Sequence, residues 1–150
     1  MISILKWSVI SLVCGYFANR ACEWLQSDFL QKFLDDKLIE ILVTLLAVNT
    51  ATLGIILLRL GELSDKHKAT FPKIVSAMKL SVMEQIGLIV VAAVCLILRG
   101  SKTIQQSHEM VIFSCGTILI AVAIYAVVVV YDTAMAAFDL NHAANKLPKQ

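Results

Sequence analysis

This chain has few of the residues from which a soluble protein builds its surface. Only 16% of its 150 positions are charged, where a soluble domain carries about a quarter. That deficit excludes a soluble domain of ordinary composition. Proline occurs twice and glycine six times, and no low-complexity run interrupts the chain, so residues 1–150 read as one domain. The four cysteines, Cys14, Cys22, Cys95 and Cys115, form no Cys-x-x-Cys pair. A quinone-linked disulfide oxidase, which needs a paired redox thiol, is therefore disfavoured, and apolar packing is the simpler role. His67, His108 and His142 are scattered, and neither a glycine-rich phosphate loop nor a Ser/His/Asp elbow is recognisable. No enzyme, metal centre or cofactor is expected. A net charge of only +2 argues against a general nucleic-acid surface.

What the chain has is apolar length. Hydrophobic residues make up 59% and mean hydropathy is +0.80. A helix needs about 20 mostly apolar residues to cross a bilayer, and four segments qualify. The first runs over 2–25, with Trp7 and Trp24 spaced to reach both headgroup regions, roughly 25 Å apart on a helix. A secretory signal is its rival reading, because Lys6 precedes an apolar core and Asn19-Arg20-Ala21-Cys22 faintly matches a lipoprotein cleavage site. Arg20 beside that site opposes cleavage, so the segment is expected to be retained. The second span is 38–60, the third 80–98 and the fourth 110–131. Val127-Val128-Val129-Val130 would favour a strand in water, but in a long apolar run only a helix satisfies its own backbone. The expected fold is all-α: an integral membrane bundle of four transmembrane helices with short cytoplasmic helical extensions.

Positive charge suggests direction. Lys6, Arg59, Lys66, Lys68, Lys73, Lys79, Lys146 and Lys149 would share one side, eight residues against five (Arg20, Lys32, Lys37, Arg99, Lys102) on the other. This points to both termini, the 60–79 hairpin and the 132–150 tail lying in the cytoplasm. Residues 27–37 read as a short amphipathic helix lying on the outer interface or packed across the bundle, with Phe29, Leu30, Phe33 and Leu34 on one face. A further helix is expected to start near Pro72 and run into the third span.

Three groups of residues are candidates for function. Residues 41–58 carry no charge, yet Thr44, Asn49, Thr50 and Thr52 sit among them. At about 100° per residue, Thr44, Ala47, Val48, Ala51, Thr52 and Ile55 share a stripe, with Glu40 at its outer end. A pore lining is one reading: a carboxylate mouth, hydroxyls and small residues within, and an aliphatic constriction. Helix packing is the other, and Asn49, off the stripe, fits that role. Glu84 and Asp132 form the second group, an inner vestibule or simply boundary charges. Arg59, Lys66, Lys68, Lys73 and Lys79 form the third. They express either the ordinary positive-inside bias or a site for an anionic nucleotide, an oligonucleotide or a cytoplasmic protein.

Thr50-Ala51-Thr52-Leu53-Gly54-Ile55 leading to Arg59, and Met83-Glu84-Gln85-Ile86-Gly87-Leu88 at the start of the third span, resemble the layout of RexB-like small four-span phage-defence proteins. The resemblance covers residues 38–100. It implies a small bacterial membrane effector that depolarises the inner membrane during abortive infection, and it transfers no catalytic or ligand residue. The function expected is thus a homo-oligomeric ion channel or pore, a tetramer in the lipid bilayer, because a bundle this small does not easily enclose a water path. The alternatives are a non-conducting anchor or sensor that recruits a cytoplasmic partner, and a small proton-coupled exporter. The exporter reading suffers because residues 2–19 contain no acid.

Overall fold

A computed structural model describes residues 2–67, 72–101 and 109–146, with the backbone alone described at 2–5, 62–67, 73, 109 and 139–146. Four α-helices account for nearly all of them: α1 (Ile2–Trp24), α2 (Phe29–His67), α3 (Pro72–Gly100) and α4 (Glu109–Lys146). Three hold segments long and apolar enough to cross a membrane, Phe29–Gly61 in α2, Ile74–Gly100 in α3 and Met110–Phe138 in α4. The chain thus has the character of a multi-pass membrane protein. The first of the four expected spans forms helix α1, which is not among these three segments.

Helix ends follow local chemistry. Gln26 sits at φ 51°. The Ser27 amide donates to the Cys22 carbonyl and the Gln26 amide to the Glu23 carbonyl, each at 3.0 Å. This is the Schellman closure of α1, with glutamine in the left-handed position that glycine usually holds. Asp28, a good N-cap residue type, precedes α2, and its carbonyl accepts the first helical bond from the Lys32 amide at 2.9 Å. Pro72 opens α3, where its missing N–H costs nothing.

The expected short helix over 27–37 is corrected here. It is the first three turns of α2, continuous with the second span. Neither proline nor glycine occurs between Phe29 and Leu53, so nothing breaks the helix. Its apolar face is also divided. Leu34 is buried and Leu30 half-buried against the bundle, while Phe29 and Phe33 stack outside it at 6.2 Å.

Helix α4 is the centre of the bundle. It packs against α1, α2 and α3, α2 also packs against α3, and α4 is the principal partner of α1. Leu34, Leu38, Leu42, Asn49, Leu53, Ile56 and Leu60 form the buried line of α2, spaced by three, four or seven as an inward helix face requires. Two apolar clusters result. One joins Leu38 and Leu42 to Ala92, Cys95, Cys115 and Leu119. The other joins Leu53, Ile56 and Leu60 to Met78. Polar side chains form a layer between them and another beyond the first.

Candidate functional site

The α2 stripe faces away from the bundle. Glu40, Thr44, Ala47, Val48, Ala51 and Ile55 are exposed and Thr52 is half-buried. At about 100° per residue the centre of this stripe lies roughly 140° around the helix from the Leu38–Leu60 line that forms the core. Among the described residues, no other part of the chain encloses it. The hydroxyls donate to carbonyls one turn back: Thr44 to Glu40 at 2.8 Å, Thr50 to Leu46 at 2.8 Å and Thr52 to Val48 at 3.0 Å. Each hydroxyl hydrogen is thereby used, and the oxygen is left with lone pairs. Such a surface accepts from water or binds cations better than anions. Glu40 is not a bare carboxylate, because Lys37 Nζ lies 2.9 Å from its Oε2.

Asn49 is fully buried, as its off-stripe phase requires. Its Nδ2 donates to Gln85 Oε1 at 3.0 Å and to Ser81 Oγ at 3.2 Å. Ser81 and Thr133 hydroxyls lie 3.4 Å apart, and Thr133 donates to the Val129 carbonyl at 3.0 Å. This polar layer ties α2, α3 and α4 together at mid-bundle. In hydrocarbon such interhelical bonds contribute about 0.6–2 kcal/mol each.

Glu84 and Asp132, from α3 and α4, line one cavity of about 490 Å³. Trp7 of α1, Leu53 and Ile56 of α2, Met78 and Ser81 of α3, and Tyr125 and Thr133 of α4 also line it. Of the basic group, Arg59 and Lys79 are exposed near the facing ends of α2 and α3. Lys68 lies outside the described residues, and Lys66 and Lys73 are placed only as backbone positions on α2 and α3. Among the described residues no group of three His, Cys, Asp or Glu could hold a metal ion.

A second polar assembly was not foreseen from sequence. Asn19 of α1 is fully buried. Its Nδ2 donates to the Phe113 carbonyl and to Thr117 Oγ1, both at 3.0 Å, and its Oδ1 accepts from Gln31 Nε2 at 3.1 Å. Gln31 Oε1 accepts from Arg99 Nη2 at 3.3 Å, and Arg99 Nη1 lies 2.8 Å from Asp35 Oδ1. All four helices meet in this network, at the end opposite the cavity. The sequence signal was a stripe of Ser11, Gly15 and Asn19 at four-residue spacing in an otherwise apolar helix. Nothing local identified the residues facing it.

No protein-family model, curated protein or solved structure matches the chain.

Proposed function

We propose that the protein is a homo-oligomeric ion channel or pore in which α2 lines the conducting path. The observation that carries this reading is the position of the stripe from Glu40 to Ile55, exposed on its own subunit except at the half-buried Thr52. Lipid gains nothing from lone-pair oxygens, whereas a symmetry axis between copies would gather them into rings. In a tetramer the path would carry the Lys37–Glu40 pair at its mouth, Thr44 and Thr52 within, and Val48 and Ile55 as constrictions that gate by dewetting. Cations are the favoured cargo, since the hydroxyl hydrogens are committed to the backbone.

The resemblance of residues 38–100 to RexB-like proteins supports an anti-phage effector that depolarises the bacterial inner membrane when triggered. The charge bias supports cytoplasmic termini. Arg59, Lys66, Lys68, Lys73 and Lys79 from several copies would form a basic ring for an anionic nucleotide or oligonucleotide trigger.

Purified protein reconstituted in liposomes tests the reading. Cation flux is expected, increased by an anionic trigger at the α2–α3 end. The double substitution Thr44→Val, Thr52→Val should lower flux several-fold without altering oligomer size, because both side chains lie outside the subunit core. Silence under every ionic and ligand condition would sink the channel.

A further inference from the structure

The pore reading leaves the 490 Å³ cavity unused, and its walls have a chemistry of their own. The volume falls within the roughly 300–1,000 Å³ typical of small-molecule sites. Glu84 and Asp132 reach it from different helices, and Trp7, Tyr125, Leu53 and Ile56 supply aromatic and aliphatic walls. Among the described residues neither carboxylate has an ion-pair partner. Glu84 is half-buried and Asp132 exposed, and two carboxylates beside one largely apolar space favour a positive charge there.

The walls narrow the choice of ligand. A small inorganic cation would pair with the carboxylates but leave apolar walls unfilled. A lipid acyl chain would fill the walls but leave the carboxylates unpaired. We infer that the cavity binds an organic cation with an apolar, preferably aromatic, body. Its charge sits between Glu84 and Asp132, and its hydrophobic part rests against Leu53 and Ile56. Trp7 and Tyr125 supply aromatic rings, whose faces attract a cation. The site lies within one subunit, so it does not depend on the pore reading, and binding is measured separately from flux.

The test uses the full chain in nanodiscs of zwitterionic lipid, with empty nanodiscs as the blank. Tetraphenylphosphonium and tetraphenylborate, matched in shape and opposite in charge, are titrated in turn. Saturable binding of the cation, with the anion no better than the blank, is expected. Glu84→Gln and Asp132→Asn should each weaken cation binding by about tenfold, the effect of losing one charge-assisted contact. Equal binding of both probes would reduce the cavity to an apolar groove, and no saturable cation binding would remove the site. Unchanged cation affinity in the double variant would also overturn the proposal. The comparison of the two probes needs only the unmodified protein, so it decides the matter even if the variants fold poorly.

Discussion

Arg99 is the most buried charge that the structure describes in an ion pair, with its side chain 11% exposed. Its Nη1 lies 2.8 Å from Asp35 Oδ1 yet lacks hydrogen-bond geometry there, so that contact is an ion pair. Nη2 supplies a hydrogen bond to Gln31. Breaking one partner of a buried pair costs about 3–5 kcal/mol, whereas replacing both with apolar groups is often neutral. Asp35 is 37% exposed, so solvent lowers the expected cost of Asp35→Asn to about 1–3 kcal/mol. The double variant Asp35→Asn, Arg99→Met should recover part of that loss. Thermal unfolding in detergent, run as a double-mutant cycle, checks it. A purely additive result would show that the pair contributes nothing. Residue-scale reading was uneven. Asn49 could be assigned to packing because its phase on α2 is a local property. The Asp35–Arg99 pair could not, because only the packing of α2 against its neighbours brings the two together.

At the scale of elements, the docking of α1 on α4 rests on close approach. A Cβ at Gly15 would lie 2.8 Å from the Thr117 carbonyl oxygen and 3.1 Å from Ala121 Cβ. Gly116 meets Asn19 in the same interface. Small residues at this spacing let helices without a hydrophobic drive between them gain van der Waals contact. Gly15→Leu should therefore push α1 off α4, with overpacking that costs about 1–3 kcal/mol. It should also break the Asn19 bonds to Phe113 and Thr117. The expected result is a lower melting temperature and faster proteolysis within α1. A variant as resistant as the parent would show that the approach is not needed. The helices themselves were legible, including the start of α3 at Pro72, because apolar length and proline placement act locally. The continuity of α2 from Phe29 was missed, because the amphipathic pattern of 27–37 resembles that of an interfacial helix. What joins it to the span is the lack of any breaker.

For the whole molecule, the face of α2 that the subunit leaves uncovered decides how copies would assemble. In a background with the four native cysteines replaced by serine, Ala51→Cys should give covalent dimers on mild oxidation in membranes. Leu57→Cys is also exposed but lies about 120° from Ala51 around the helix, and it should give far fewer. Non-reducing gels read the outcome, and equal yields at both positions would mean that the stripe faces lipid. Sequence alone determined that this is an all-helical protein of membrane character, because backbone groups in hydrocarbon must be satisfied within the segment. It also set Asn49 off the phase of the Thr44–Ile55 stripe, since helical phase is fixed by counting, whereas the stripe's outward position was decided by packing. Only the tertiary structure decided which polar groups meet. The Asn19–Gln31–Arg99 network and the cavity shared by Glu84 and Asp132 each join side chains from separate helices, and such meetings depend on how closely and at what rotation the helices pack.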